Sequence, residues 1–231
     1  MATKRDIVPA GEGDAAGRGR TLEMNPISRE TAARLDRFVA TLRRWQPIVP
    51  LVAASTLPAL WTRHVGDSLQ LVGLAPQTRV WVDFGSGGGF PGLVIACALA
   101  DVPGACVHLI ERHGKKAAFL REAVRETGAA AVVHQGPVDA VVRTLDAGVE
   151  KVTARAFARL SVLVALAEPL LKKGAEALFL MGEDVVAELT EVTKCWKIDV
   201  NLIPSLSDPR GRIVHIRSAQ RRSPLGSPSQ S

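Results

Sequence analysis

The sequence contains no tyrosine and few aromatic side chains of any kind, which make up 4% of its 231 residues. Proteins that bind single-stranded nucleic acid often stack the bases on exposed aromatic rings, so this shortage argues against a binding surface of that type. Hydrophobic residues nevertheless reach 47% and charged residues 23%, which are ordinary proportions for a globular protein with a buried core. The length fits one large domain, or one domain with a small appendage.

Cysteine is also scarce. Cys97, Cys106 and Cys195 are odd in number, widely separated and outside any CxxC pair, which predicts reduced structural thiols and no metal site. The sequence has no apolar run of the roughly 18–20 residues that a membrane span requires, and its first twenty residues lack the apolar segment of a secretory signal. We therefore expect a cytoplasmic protein with no membrane partner.

Acidic residues are outnumbered, 23 against 29 Lys and Arg, which gives a formal net charge of +6. No acidic residue follows Asp208, whereas five arginines do: Arg210, Arg212, Arg217, Arg221 and Arg222. A basic balance permits a polyanionic partner without demonstrating one. The stretch after Asp208 is therefore either a solubilising surface or a contact for RNA.

Composition and periodicity divide the chain into four parts. Residues 1–24 are rich in Gly and Ala without apolar periodicity and predict a disordered leader. Residues 25–75 carry apolar residues at intervals of three and four and predict a small N-terminal helical cap, whose first helix begins at the N-cap Ser28. Residues 76–218 alternate short β-rich runs with helical segments, and residues 219–231 predict a flexible basic tail.

The alternation in residues 76–218 predicts an α/β fold. Seven strands can be counted, and apolar strands separated by helices are typical of a mostly parallel sheet covered by helices on both faces. The last two strands are joined by a loop and should be antiparallel. The sequence therefore predicts a seven-stranded, doubly wound, Rossmann-like sheet.

The strongest local motif is the glycine-rich run from Val82 to Gly92, which ends the first strand and opens a helix. Glycine lets a ligand approach backbone N–H groups with no Cβ in the way, and this position is the usual ligand crevice of such sheets. Gly87, Gly89 and Gly92 also satisfy the GxGxxG pattern of dinucleotide-binding proteins, although that pattern alone is a weak signal.

Two acidic residues narrow the choice of ligand. Glu111 ends the second strand, where a carboxylate can bind both ribose hydroxyls of NAD or of S-adenosylmethionine. Asp83 precedes the first glycine, and its charge would repel a pyrophosphate but attract the ammonium and sulfonium of S-adenosylmethionine. We therefore favour S-adenosylmethionine over a dinucleotide, with a purely structural glycine turn as the third alternative. Asp139, after the third strand, is either an adenine-side contact or a helix N-cap.

Together these motifs resemble the RsmG (GidB) family of bacterial methyltransferases, from about Arg34 to Arg217. The residues that carry the resemblance are Trp45 and Leu51, the RHVGDS segment from Arg63 to Ser68, the loop from Asp83 to Gly92 with its Phe-Pro-Gly ending, Glu111 with the following Gly114-Lys115-Lys116 and Phe119-Leu120, and Ala154-Arg155-Ala156. The resemblance implies a Rossmann-like, S-adenosylmethionine-dependent methyltransferase fold. It further implies methylation of N7 of guanine 527 in the 530 loop of 16S rRNA, with the small ribosomal subunit as partner. Because no heptad seam is visible, we expect a monomer.

The resemblance also implies roles for individual residues. Cofactor contacts fall on Gly85, Phe90, Val138, Asp139 and Arg155, with Asp83, Gly87 and Glu111 as neighbours. The positions that face RNA are Lys115, Lys116 and Arg155. His64, Asp67 and Ser68 match a signature of the cap, and we expect them to form a hydrogen-bonded link between the cap and the pocket.

Three positions depart from the family pattern. Pro50 replaces an asparagine that usually follows the tryptophan of the cap. Pro137 and Met181 stand where the family often has basic residues. The lost cations should affect the grip on RNA more than cofactor binding.

Guanine N7 carries a lone pair and no proton, so its methylation needs no general base. The resemblance therefore implies a direct in-line transfer, in which we expect Arg155 to help position the substrate by clamping a phosphate or a base edge. Arg155 could instead pair with Glu111 or Asp139. The competing functions are a methyltransferase acting on another RNA, a protein or a small molecule, an NAD-binding oxidoreductase, and a non-catalytic RNA-binding module.

Overall fold

A computed structural model describes residues 12–145 and 148–222 of the chain. The helices in these ranges are α1 (Glu12–Met24), α2 (Arg29–Trp45), a 3-10 helix (Ala54–Ala59), a π-helix (Leu60–Gly66), α3 (Asp67–Leu74), α4 (Gly92–Ala98), α5 (Gly114–Thr127), α6 (Val138–Thr144), α7 (Leu160–Leu171) and α8 (Val185–Cys195). None of these helices has the length and apolar character needed to cross a bilayer.

Seven strands form one sheet in the order β3-β2-β1-β4-β5-β7-β6. They are β1 (Val80–Phe84), β2 (Cys106–Glu111), β3 (Ala131–Gln135), β4 (Lys151–Arg155), β5 (Glu176–Met181), β6 (Trp196–Pro204) and β7 (Arg212–Arg221). The first five are parallel, and β7 is antiparallel to both of its neighbours. The predicted seven-stranded α/β sheet is confirmed, as is the antiparallel pairing of the last two strands. The strand order reverses between β1 and β4, which opens a crevice at their carboxyl ends.

The cap begins where the sequence predicts it. The Ser28 hydroxyl accepts a hydrogen bond from the Thr31 N–H at 3.1 Å and caps α2, and the helix ends at Trp45, two residues before Pro47. Its buried face includes Leu35, Phe38 and Leu42, which recur at helical spacing.

The helices divide into two layers, one on each face of the sheet. One apolar core joins the cap to α4, α5 and one face of the sheet, and its largest buried side chains include Phe38, Trp81 and Phe119. The other core packs α6, α7 and α8 on the opposite face. The cap and the sheet therefore share one continuous core.

Both ends of the chain correct the predicted boundaries. Residues 12–24 form α1, so the expected disordered leader is wrong for that stretch, while residues 1–11 lie outside the described residues. The helix is held by tertiary contacts, because Arg18 pairs with Asp36 at 2.7 Å and its guanidinium lies 5.5 Å from the centre of the Trp61 ring. Strand β7 continues to Arg221, so the prediction of a flexible tail is wrong for residues 219–221. Residues 223–231 lie outside the described residues.

Candidate active site

The glycine loop closes the carboxyl end of β1 and lines a cavity of about 520 Å³. We call this space the loop cavity. Six of the predicted site residues meet in its wall: Gly85, Gly87, Glu111, Lys116, Val138 and Asp139. The structure therefore brings together residues from the ends of β1 and β2 and from the starts of α5 and α6, as the sequence predicts.

Glu111 fixes the shape of the loop. Its carboxylate accepts hydrogen bonds from the backbone N–H of Gly87 at 3.0 Å and from that of His113 at 2.7 Å. Although the residue is only 4% exposed, it lines the loop cavity. Each carboxylate oxygen has more than one lone pair, so the group can hold the loop and still accept bonds from a ligand.

Asp83 lies beneath the loop instead of in the cavity wall. It is fully buried, and one carboxylate oxygen accepts a bond from the Gly92 N–H at 3.2 Å, while the other has no partner. Burial raises the pKa of Asp83 to about 7, with a smaller raising effect from Glu111, while the nearby Ser86 hydroxyl and the Gly92 N–H act in the opposite direction. An orphaned buried oxygen is costly, which makes this group suited to a cationic ligand above it.

Two glycines of the loop leave space for protein groups. A Cβ on Gly92 would stand 2.6 Å from the Asp83 side chain, and a Cβ on Gly85 would stand 2.1 Å from the ring of Phe157. Gly92 is the last glycine of the GxGxxG match, and its space is filled by the protein. The match therefore reflects packing at this position, not an approach to a pyrophosphate.

Asp139 does not cap α6. The N-cap is Pro137, and the Asp139 carboxylate is half exposed and pairs with Arg143 at 3.3 Å. The alternative that Asp139 is an N-cap is therefore wrong, and its side chain stays available at the mouth of the loop cavity. Val138 beside it is buried and contributes an apolar surface.

Phe90 and His64 pack on each other in the seam between the cap and the loop. Their ring centres lie 4.9 Å apart, and Phe90 also contacts Phe38 at 5.1 Å. Both ring nitrogens of His64 are buried without a hydrogen-bond partner. Desolvation, with smaller contributions from Arg155 and Arg63, lowers the pKa of His64 to about 3. The expected hydrogen-bonded link through the His64 ring is therefore wrong.

A second cavity of about 420 Å³ opens beside the first at the ends of β4 and β5. We call it the arginine cavity, and its lining includes Arg63, Asp67, Arg155, Met181, Asp208 and Arg210. Ala156 lines both cavities. This alanine has a positive φ of 48°, a conformation that non-glycine residues adopt mainly at constrained sites.

Arg155 belongs to the arginine cavity, and the structure does not bring it to the wall of the loop cavity. Its guanidinium donates to the Arg63 carbonyl at 2.7 Å and pairs with Asp67 at 3.2 Å. The alternative partners Glu111 and Asp139 are therefore wrong. Burial lowers the pKa of Arg155, and the nearby Asp67 carboxylate opposes that shift.

Asp67 forms the hydrogen-bonded link between the cap and the pocket that we expect from His64, Asp67 and Ser68. One carboxylate oxygen accepts from the hydroxyls of Ser205 at 2.7 Å and Ser207 at 2.6 Å. Arg63 reaches the same loop through Asp208 at 2.7 Å. The loop between β6 and β7 was missed from the sequence because it has no motif and lies about 140 residues from the cap. Ser68 stays local and donates to the His64 carbonyl.

The predicted basic positions separate in space. Lys116 is half-buried in the wall of the loop cavity, whereas Lys115 is exposed beside it on α5. In the stretch after Asp208, Arg217 pairs with Asp199 and Arg221 with Glu168. Arg210 and Arg212 line the arginine cavity, where Arg210 also faces Asp208 at 3.5 Å. These last two arginines are therefore the better placed for a polyanionic ligand.

The positions that depart from the family pattern lie close to the two cavities. Pro137 lines the loop cavity and caps α6, and Met181 lines the arginine cavity. Pro50 precedes Leu51, whose backbone would contact a Cβ on Gly88 at 2.8 Å. Within the described residues, no group of three or more His, Cys, Asp or Glu side chains is arranged to hold a metal ion.

Comparison with known proteins gives consistent matches. The model of the GidB family, described as rRNA small subunit methyltransferase G, matches residues 31–219. Ribosomal RNA small subunit methyltransferase G of Bradyrhizobium sp. strain BTAi1 is 58% identical over 207 residues, which are 90% of this chain and 93% of that protein. The protein of the same name from Bradyrhizobium sp. strain ORS 278 is 57% identical over 209 residues, with 90% and 94% coverage.

A solved structure supports the fold. The SAH-bound methyltransferase from Podospora anserina aligns with a TM-score of 0.59 at 15% identity, covering 93% of this chain and 99% of that chain. At this identity the likeness concerns the architecture alone.

Proposed function

The chain belongs to the GidB family of rRNA small subunit methyltransferases, and on that premise we propose that it methylates N7 of guanine 527 of 16S rRNA within the small ribosomal subunit. The enzyme is an S-adenosylmethionine-dependent methyltransferase. Membership in this enzyme class argues against two of the competing functions, the NAD-binding oxidoreductase and the non-catalytic RNA-binding module. We further propose that the enzyme acts in the cytoplasm, because its substrate is ribosomal RNA. We propose a monomer, because the sequence has no heptad seam.

The residues that line the loop cavity offer the hydrogen-bond acceptors and the apolar surface that S-adenosylmethionine needs. Glu111 at the end of β2 can accept bonds from two ribose hydroxyls, while Val138 and Asp139 offer an apolar surface and a carboxylate to the adenine. The unpartnered oxygen of Asp83 and the charge of Glu111 favour a cation near the glycine loop. When bound, this cofactor supplies an electrophilic methyl group on a sulfonium.

The arginine cavity is the place for the target nucleotide. Guanidinium groups bind phosphate and the O6 edge of guanine well. Four arginines line the cavity together with four carboxylates: Arg63, Arg155, Arg210 and Arg212, with Asp67, Glu183, Asp184 and Asp208. We expect Arg155 to contact a phosphate or O6, because a cation directly over the ring would oppose the positive charge of the N7-methyl product. Presenting the base costs a few kcal/mol if it is stacked in the folded RNA.

The single observation that carries the proposal is the shared wall at Ala156. The two cavities meet there, at the carboxyl ends of the central parallel strands. A nucleophile in one cavity can therefore face an electrophile in the other, and holding the reacting atoms in line can contribute roughly 7–11 kcal/mol. The His64 imidazole, with its pKa near 3, is too weak a base to take a proton at neutral pH, which agrees with a reaction that needs none.

Two variants test the assignment of the cavities. Glu111→Ala should weaken S-adenosylmethionine binding about tenfold or more in calorimetry, because bonds to a charged acceptor are lost. Arg155→Ala should lower turnover on small ribosomal subunits by about 10² and change cofactor affinity less than about twofold. Glu122→Ala is the matched control, since Glu122 is a partly exposed residue on α5 that lies outside both cavities and pairs with Arg125.

Mapping of the methylated nucleotide tests the substrate. We expect one methyl group at N7 of guanine 527 when subunits are the substrate and a lower rate with naked 16S rRNA. Methylation at another nucleotide or in another fraction would contradict the proposed target. Unchanged cofactor affinity of Glu111→Ala would contradict the assignment of the loop cavity.

A further inference from the structure

Arg155 is a buried cation with one carboxylate partner. Its side chain is 18% exposed and that of Asp67 8%. Burial opposes the charge of the guanidinium, so the Asp67 carboxylate at 3.2 Å stabilises it. The Arg63 carbonyl, which accepts at 2.7 Å, completes the set of contacts. These two contacts set the direction in which the remaining N–H donors of Arg155 point.

Asp67 is itself held from the opposite side. The oxygen that does not face Arg155 accepts from the hydroxyls of Ser205 and Ser207. The Ser205 oxygen in turn accepts from the backbone N–H groups of Ser207 and Asp208 at 3.1 and 3.2 Å. The two carboxylate oxygens therefore have separate tasks, one toward the loop between β6 and β7 and one toward Arg155.

We propose that Asp67 is a positioning residue, which aims the Arg155 guanidinium into the arginine cavity while Ser205 and Ser207 fix the carboxylate. The inference rests on the proposed function, because it gives Arg155 its role in holding the RNA. Asp67 itself lines the arginine cavity, and its proposed contribution is to Arg155, with no part in the methyl transfer. It acts on the rate through the orientation and the charge of its neighbour.

A second link between the cap and the same loop provides a matched control. The Gln70 amide donates to the Pro204 carbonyl at 2.9 Å and accepts from the Leu206 N–H at 3.0 Å. Gln70 has no contact with Arg155 among the described hydrogen bonds and does not line the arginine cavity. Replacing Gln70 therefore removes an anchor of the same loop without removing a direct contact of Asp67 or Arg155.

The test compares Asp67→Asn with Gln70→Leu. Asparagine keeps an oxygen for Ser205 and Ser207 but turns N–H groups toward the N–H groups of Arg155, so only the positioning contact is lost. We expect Asp67→Asn to lower kcat on small ribosomal subunits by about 10² and to change S-adenosylmethionine affinity less than about twofold. Gln70→Leu should keep kcat within about threefold.

A double-mutant cycle separates positioning from a general loss of structure. If Asp67 acts only through Arg155, Asp67→Asn should cause no further loss of turnover in an Arg155→Ala background. Additive losses, or an equal loss in Gln70→Leu, would overturn the proposal. Should Asp67→Asn not fold, the double variant Ser205→Ala/Ser207→Ala should lower kcat about tenfold, and full turnover in that variant would also overturn the proposal.

Failure of the proposed function would give a different experimental result from failure of the positioning role. Wild-type enzyme would then methylate a site other than N7 of guanine 527, and the same comparison of variants would be run on the RNA that wild type accepts. A loss in Asp67→Asn that vanishes in the Arg155→Ala background would support the positioning role on that RNA. Full turnover in Asp67→Asn on the same RNA would overturn it.

Discussion

At the scale of single residues, the buried Asp83 has a direct effect on stability. Burial raises its pKa from 3.8 to about 7, so the folded protein keeps the proton to a higher pH than the unfolded chain does. The stability associated with that acid is fully present below pH 3.8 and is lost as the pH rises through about 7.

Asp83→Asn should therefore gain stability relative to wild type as the pH rises from 5 to 8. We expect the difference in Tm between variant and wild type to increase by a few °C over that range, measured by thermal unfolding at each pH. Asp101→Asn serves as the control, because Asp101 pairs with Arg34 and its pKa is lowered. A difference in Tm for Asp83→Asn that is flat across this range would contradict the raised pKa.

At the scale of elements, α1 supports the part of the cap that carries Arg63. Thr21 of α1 is buried, and α1 packs on the π-helix at ordinary contact distance, with a facing side chain 3.6 Å from a Cβ built on Gly17 or on Gly66. The family model matches the chain only from residue 31, so this support comes from outside the matched region.

Deletion of residues 1–24 should lower both Tm and turnover, because the π-helix loses the helix that covers it. We expect a loss of several °C in thermal unfolding and a lower rate on ribosomal subunits. Arg18→Gln is the control, since it keeps α1 and removes only the partly exposed pair with Asp36 and the contact with the Trp61 ring, which together should cost about 1–2 kcal/mol. A truncated protein as stable and active as the full chain would show that α1 has no supporting role.

Elements with a local signal could be predicted from the sequence. The β-α alternation, the Ser28 cap and the glycine loop each depend on neighbours within a few residues. Helix α1 could not be predicted, because it has no apolar stripe and depends on tertiary contacts such as Arg18 with Asp36. The place of β7 between β5 and β6 also has no sequence signal.

The two cavities also differ in whether they depend on local sequence signals or on contacts between distant residues. The loop cavity is built by residues at strand ends, which a parallel sheet brings together by its topology. The arginine cavity depends on Asp67 meeting Ser205 and Arg63 meeting Asp208, and pairs so distant in sequence follow no period. Arg155 could be named from the resemblance, but its partner could not.

At the scale of the whole molecule, the cap and the sheet should unfold together. One apolar core runs through both, and the cap is also tied to the sheet side by Arg34 with Asp101 and by Asp67 with Ser205. The division into residues 25–75 and 76–218 therefore describes sequence character, and it remains a prediction as a division into domains.

Calorimetry should show a single transition with equal calorimetric and van't Hoff enthalpies. A fragment of residues 76–222 should not fold alone, because removal of the cap exposes the apolar surface of α4 and α5. Two separate transitions in the full chain, or a cooperatively folding fragment, would contradict this expectation.

The position of β7 bears on how the protein is made. Among the described strands, β6 has only β7 as a neighbour in the sheet, and β7 pairs with β5 on its other side. During translation β6 therefore cannot join the sheet until β7 has left the exit tunnel. The loop that anchors Asp67 lies between these strands, so the nascent chain can assemble the loop cavity while the arginine cavity is still open. Under the proposed assignment of the two cavities, the ability to engage RNA is among the last properties that a newly synthesised molecule gains.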